Sequence, residues 1–582
     1  MGGPSRCSPL AEGTWSLEGE EGKALATSLT NPVGLSIFSL SFTTFIRPYG
    51  ARSFHARHSP TITTTLMHQN EDGIAVPSQA PVQSDFILLS GLSFGLFLYL
   101  MLTAAFSGYG YFIDELYYIA CSKRLALGYV DHPPLSILIL ALSRWLLGDS
   151  LPAIRFFPSL AAAGTVFLTG LMARRLGGDR TAMIIAALAA IAVPVYLLMG
   201  SFFSMNVFEI LIWTSILYLI IMLVQREQPK YWLAIGLLMG LGLEMKHTIV
   251  LYGIAIAAGM LLTGARRFLW NRWLLWGILA AFLLLVPNLV WQYMNGFPSI
   301  EFYRNAMVNK NIPTGPVKVV LMQVLFTNPF TLPVWIAGLA YCFFSDGGKR
   351  YRFFGWAYLF LLAVMIMGQS SRPDRIASIY TVLLALGAVA IGRITLPALK
   401  RLAAPATIVL LIAGTILLAP ISAPLLPPPA LRSYLSALGL SFDIEIGKSN
   451  EALPQWIADR LGWRELASEV GRVYHALPPE EQRNAVIVST SYGEAGALEL
   501  YGPEFGLPPV FATHNSFHLW GPQSDSVKTF IGVFISRRDL ERRFESVVEA
   551  GVQTCEYCTR PQQRIPIYVV RGPRFSIAME WS

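Results

Sequence analysis

Apolar runs of about twenty residues recur along this chain, separated by short charged loops, and they limit its fold more than any other feature. Roughly 20 consecutive apolar residues are needed for a helix to cross the hydrocarbon core of a bilayer. Windowed hydropathy predicts spans near 86–106, 153–173, 181–199, 204–224, 231–245, 248–263, 273–291, 325–344, 353–369, 376–392 and 403–421. The expected fold is therefore a polytopic α-helical membrane protein with about eleven spans. The segment Pro134 to Leu147 is apolar but only one short helix long, which suits an interfacial or re-entrant helix.

Composition agrees with lipid as the solvent. Hydrophobic residues make up 54% of the 582 positions and charged residues 14%, against about 25% charged in soluble domains. The net charge of +8 is accordingly a record of topology, because Lys and Arg collect in cytoplasmic loops. It does not point to nucleic acid.

Five alternate short loops are basic: Arg174-Arg175 with Arg180, Arg226 with Lys230, Arg266-Arg267 with Arg272, Lys349-Arg350 with Arg352, and Arg393 with Lys400-Arg401. Their agreement assigns these loops to the cytoplasm. The other face, in a cell (inner) membrane, then receives the loop from Ser107 to Arg155, the Lys246-His247 corner, the loop from Gln292 to Lys318, the turn Ser370 to Arg375 and everything after about residue 422. Charged and aromatic residues meet apolar helix ends there, so that is where chemistry is expected.

The two ends of the chain differ from its middle. Residues 1–85 are rich in Ser, Thr, Gly and Pro and read as a poorly ordered cytoplasmic tail, with Met67 an alternative start. After the Pro-rich linker at Ala423 to Pro429, helical patterns (452–463, 465–477, 538–549) alternate with β-rich runs at Ala485 to Thr490, Phe530 to Ile535 and Pro566 to Val570. Strands interleaved with helices predict an extracytoplasmic α/β domain over residues 430–582, following a transmembrane domain over 86–422. Of the five cysteines, only Cys555 and Cys558 are close in sequence. A redox motif, a zinc half-site and a local disulfide all remain open, with a local or merely structural pair favoured.

The densest chemical signal is GYGYFIDELYYIACSKRLALGYVDHPPL, Gly108 to Leu135. Asp114 and Glu115 are adjacent acids just past the first span. The pattern that follows reads as a helix with Asp114, Tyr117, Tyr118 and Cys121 near one face. Acid and aromatic groups on one face can hold a hydroxyl-bearing acceptor, with Tyr117 and Tyr118 as its contacts. The simpler reading is that the two acids only cap the helix. A second polar pair, Asp131-His132, precedes Pro133-Pro134, which stop one helix and start the next.

The order DE-x-YY, GY-x-DHPPL and RFFPSLAAAGTVFLTGLMARRLGG resembles the membrane glycosyltransferases that include protein O-mannosyltransferases and the lipid A aminoarabinose transferase. GLGLEMKHTIVL, PNLVWQYMNGFPSIEFYRN and SSRPDRIASIYTVLLALGA extend the resemblance in order over about residues 86–400. It implies a C-type glycosyltransferase fold, a polyprenyl-phosphate-linked sugar as donor, and a glycan, lipid or protein acceptor. Asp114 then matches the family's acidic residue proposed as catalytic base, with Glu115 beside it. Asp131 and His132 match a polar pair close to the donor and sometimes to a metal; the sequence itself requires no metal. Lys246, Arg372 and Arg375 fall where the family places cations for the donor phosphate. The last turn departs from the family, which often has Lys and Tyr where this chain has Ser-Ser-Arg-Pro-Asp-Arg.

The chemistry is coherent: a base takes the acceptor proton and cations steady the leaving phosphate. A transporter would instead place ionisable residues mid-span, where Glu209 and Glu244 are the main candidates. A non-catalytic scaffold would explain the C-terminal domain but not the acid–aromatic helix. In the C-terminal region, SYGEAGALELYG (Ser491 to Gly502) reads as a strand end entering a helix, and the His- and aromatic-rich loop THNSFHLWGP (Thr513 to Pro522) is expected to be packed structure rather than a sugar-stacking element.

Overall fold

A computed structural model describes residues 83–309, 312–370, 372–394, 397–440, 452–521 and 527–576. The tail expected over residues 1–85, up to position 82, lies outside the described residues, and Cys7 and Met67 lie there with it.

Each of the eleven apolar segments predicted as spans is helical. Among the described residues, seven helices are long and apolar enough to cross a membrane: Gln83–Phe106, Leu151–Arg175, Met205–Arg226, Arg272–Met294, Asp346–Met367, Pro373–Gly392 and Arg401–Ser422. Two further runs are bent, Arg180–Ala192 against Pro194–Gly200 by 64° and Pro316–Phe326 against Pro329–Phe344 by 87°. Each break has a local cause. Pro194 and Pro329 lack the N–H that would continue the ladder, and Asn328, just before the second, sits at φ 74°. Counting each bent pair as one span gives nine. The difference from eleven lies in Tyr231–Leu243 and His247–Leu261, which are apolar but shorter than a crossing. Leu135–Leu147 is likewise a short apolar helix.

Lipid tails are as apolar as leucine, so helices in a bilayer associate through close packing and internal polar contacts. Both are present. A Cβ at Gly236 would collide with the Gly277 carbonyl, and one at Gly387 with the Val334 carbonyl. Glycine therefore lets two pairs of helix backbones touch. Arg174, one of the basic-loop residues, pairs with buried Asp85 at 2.8 Å and ties the first long helix to the second.

The C-terminal region holds a five-stranded sheet in the order β2-β1-β3-β5-β4. Its strands are β1 (Ala485–Ser489), β2 (Val510–Ala512), β3 (Thr529–Val533), β4 (Phe544–Thr554) and β5 (Arg564–Pro573). β1 is parallel to both β2 and β3, while β5 is antiparallel to β3 and β4. Every residue of β1 and β3 is buried, as expected of strands covered on both faces. The helical pattern read over 538–549 is corrected here. Arg537–Arg543 is helix, but Phe544–Thr554 is a strand paired along its length with β5. The valines of FESVVEAGVQT suit a pleated surface, and the partner strand outweighs the helical spacing. The pattern over 452–463 also shrinks, to the single turn Gln455–Ala458. Cys555 and Cys558 form a disulfide that packs on Gly462, which adopts φ 78° before the helix Trp463–His475.

This sheet region docks on the first loop through the helix Tyr492–Tyr501. A Cβ at Gly496 would lie 2.8 Å from the carbonyl carbon of Leu116, and one at Gly493 would strike the Ile113 side chain. The two glycines thus bring the helix backbone against the helix Ile113–Ser122. Arg460 makes a second anchor. It is wholly buried, stacks over Phe202 at 5.3 Å and donates to Ser201 Oγ at 2.8 Å.

Candidate active site

The helix Ile113–Ser122 carries two adjacent acids, and consecutive residues on a helix point about 100° apart. Asp114 faces a cavity. Glu115 turns into the protein, where it is fully buried. Its Oε1 accepts from Phe203 N at 2.7 Å and Arg155 Nε at 2.9 Å; its Oε2 accepts from Phe112 N at 2.7 Å and Arg155 Nη2 at 2.7 Å. These four bonds occupy the acceptor positions of a carboxylate. Glu115 therefore caps the helix and pins it to the second long helix.

The cavity has a volume of about 480 Å³ and gathers six of the nine predicted site residues: Asp114, Tyr118, Asp131, Lys246, Arg372 and Arg375. Leu198, Met199, Leu251 and Phe326 supply an apolar wall from the membrane helices, and Phe302, Tyr303 and Met307 line it from the helix Pro298–Asn309. Glu115, Tyr117 and His132 are not among the lining residues.

The cations are not equivalent. Lys246 Nζ donates to Asn206 Oδ1 at 2.8 Å and pairs with Glu209 at 3.0 Å. Arg372 pairs with Asp374 through Nε at 3.0 Å and Nη2 at 3.3 Å. The Arg375 guanidinium has no ion pair or hydrogen bond with a described residue, and its side chain is exposed at the cavity. Glu209, a candidate for an ion path in the transporter reading, is thereby the counter-ion of Lys246. Spacing alone gave no sign of Asn206 or Glu209 as partners of Lys246, since both come from the helix Met205–Arg226, whereas Asp374 sits two residues after Arg372 in the same turn.

Tyr117 and Asp131 form the inner side of the site. Burial, reinforced by the Asp131 charge, pushes the Tyr117 phenol well above its ordinary pKa, so it stays a donor. It donates to Asp131 Oδ1 at 2.7 Å. Burial and then the Asp114 charge act in the same direction on Tyr118. His132 is wholly buried among Tyr117, Tyr118 and Tyr129. Its Nδ1 lies 3.0 Å from the Pro133 carbonyl and its Nε2 3.9 Å from Asp131 Oδ1. Among the described residues no group of three or more His, Cys, Asp or Glu is arranged to hold a metal ion.

The C-terminal region completes the wall with Gln455, Trp456, Tyr492 and Asn515. Tyr492 donates to Asp114 Oδ1 at 2.8 Å. Ser516 Oγ donates to the Tyr117 hydroxyl oxygen at 2.8 Å, since the Tyr117 proton is on the bond to Asp131, and accepts from Val130 N at 3.1 Å. Ser491–Gly502 enters a helix just after β1, as expected, and contributes Tyr492 to the cavity; the loop read as packed structure contributes Asn515. The available signal was a polar residue just after each apolar strand, a common position for ligand contacts in α/β sheets.

Residues 131–291 match the family profile described as dolichyl-phosphate-mannose-protein mannosyltransferase. The crystal structure of ArnT from Cupriavidus metallidurans in the apo state is similar with a TM-score of 0.53 at 13% identity, covering 83% of this chain and 97% of that one. The chain has the fold of the C-type membrane glycosyltransferases. The same ArnT bound to undecaprenyl phosphate gives a TM-score of 0.52 at 14% identity, covering 84% of this chain and 98% of the other. The oligosaccharyltransferase of Archaeoglobus fulgidus, tethered with an acceptor peptide, scores 0.46 at 13% identity over 77% of this chain and 68% of that one. A comparison with curated protein sequences finds no match. The C-type glycosyltransferase resemblance read from the first-loop motifs is therefore the one that both profile and fold return.

Proposed function

We propose that this protein transfers a sugar from a polyprenyl-phosphate donor to a hydroxyl-bearing acceptor, with inversion, at the non-cytoplasmic face of the membrane. One observation carries the reading. A carboxylate, Asp114, and the cations Lys246, Arg372 and Arg375 share a single cavity whose wall is built from membrane helices. The acceptor oxygen attacks the anomeric carbon while Asp114 takes its proton. The bond from that carbon to the phosphate oxygen breaks, and its electron pair leaves with the polyprenyl phosphate. The Arg375 guanidinium, which feels the nearby Asp374 charge but makes no direct hydrogen bond to a described residue, presents a planar fork that suits two phosphate oxygens. Lys246 and Arg372, already paired with acids, add field rather than primary contact. The apolar side chains of Leu198, Met199, Leu251 and Phe326 suit the first isoprene units.

Glu115, Tyr117 and His132 take positioning roles in this scheme, and Tyr118 remains the aromatic contact for the acceptor. The undecaprenyl phosphate bound by ArnT supports a lipid phosphate as donor. The basic loops support the outward side, as does the Cys555–Cys558 disulfide, a bond that persists in oxidising compartments. Membranes containing the protein, incubated with a panel of radiolabelled polyprenyl-phosphate sugars, should transfer label from one of them into an acceptor fraction. No transfer from any member of the panel would overturn the proposal.

A further inference from the structure

Asn515 lines the cavity from the segment that follows β2. Its backbone sits at φ 52°, ψ −143°, close to the first central position of a type II′ turn, which glycine normally occupies. A positive φ with this ψ lies outside the left-handed helical well that asparagine tolerates. Such a conformation persists only where its surroundings over-determine it. Here they do: the next residue, Ser516, donates its hydroxyl to the Tyr117 oxygen and accepts from Val130 N through Oγ, and its own N–H donates to the Tyr117 hydroxyl at 3.2 Å. The Asn515 side chain is 9% exposed, and its carboxamide has no hydrogen bond to any described residue.

The sheet topology gives an independent reason to look here. β1 and β2 are parallel neighbours, so their carboxyl ends lie side by side at one edge of the sheet. In open α/β sheets, ligands bind beyond the carboxyl ends of the strands. Tyr492 follows β1 and Asn515 follows β2, and the cavity lies where they meet.

We infer that Asn515 is a specificity-determining residue, whose carboxamide hydrogen-bonds a hydroxyl-bearing acceptor in the ligand crevice of the C-terminal sheet. This rests on the glycosyl-transfer reading above. The acceptor is assigned, rather than the lipid phosphate, because Asn515 is tied through Ser516 and Tyr117 to Asp131, on the carboxylate side of the cavity. A carboxamide offers both donor and acceptor, which suits a polyhydroxyl surface.

The test is Asn515→Gly, which removes the carboxamide while fitting the backbone, alongside Asn515→Asp, which keeps the shape but loses the amide donor. Both are assayed as the full-length protein, with the radiolabelled polyprenyl-phosphate sugar that the wild type consumes and the acceptor fraction it labels. For Asn515→Gly the acceptor KM should rise about three- to tenfold, the loss of an ordinary hydrogen bond. The donor KM should stay within about twofold and the melting temperature at or above wild type, because glycine relieves the strain. Asn515→Asp should also raise the acceptor KM. An unchanged acceptor KM in both variants, or a rise in donor KM alone, overturns the inference and leaves the glycosyl-transfer reading intact. Failure of the wild type to transfer from any donor overturns both.

Discussion

Changing Glu115 to Gln separates two neighbouring acids by what each one does. Glu115 receives four hydrogen bonds, two on each oxygen, and each oxygen serves one backbone N–H and one Arg155 nitrogen. In glutamine one oxygen becomes an NH₂ group, so whichever way the amide lies, two buried donors face another donor. The Arg155 guanidinium, fully buried, also loses its counter-charge. Breaking a buried pair by removing one partner costs about 3–5 kcal/mol. Glu115→Gln should therefore lower the melting temperature and yield of the detergent-purified protein severely, whereas the same change at Asp114 should not. Removing Arg155 as well, in Glu115→Gln/Arg155→Met, should recover part of the loss. The double-mutant cycle should show a coupling within the roughly 0.5–3 kcal/mol seen for groups in one network. Recovery is incomplete because Phe112 N, Phe203 N and the Gly110 carbonyl, which Arg155 Nη2 reaches at 2.9 Å, lose partners too. The reasoning fails if Glu115→Gln melts with the wild type yet loses as much transfer as Asp114→Asn.

Asp114→Asn should reduce the transfer rate by about 10²–10⁴, the usual loss for a general base, at normal abundance and melting temperature; near-normal turnover would return Asp114 to a capping role, since asparagine caps equally well. Arg375→Lys keeps the charge but loses the fork, so the donor KM should rise while the acceptor KM stays, and identical kinetics would remove Arg375 from the phosphate site. Gly496→Val puts side-chain atoms against the Leu116 backbone, so limited proteolysis should release the C-terminal region and transfer should fall; a protease-resistant, active variant would show that the close helix contact is dispensable.

Much of the molecule was legible in one dimension because its cause is one-dimensional. Apolar run length decides whether a segment can cross lipid, and the sign of short loops biases orientation, so the helical segments and the topology expectation needed only the sequence. The DE-x-YY and DHPP motifs fell on a loop that lines the cavity, and the later Lys246 and Arg372/Arg375 signals fell on the same cavity. What spacing left undecided was the role of each residue within a motif. Asp114 and Glu115 are adjacent in sequence, yet only a packed helix shows one facing a cavity and the other buried against Arg155. Tyr117 and Tyr118 divide in the same way, one bonded to Asp131 and Ser516 and the other lining the site. Tyr492 and Asn515 lie hundreds of residues from Asp114, and no local pattern encodes that separation. The glycine contacts at 493 and 496 bring the C-terminal region onto the first loop. Tertiary structure decided the site because hydrogen bonds and charge pairs depend on distances of a few ångströms, which only the folded packing of remote segments sets.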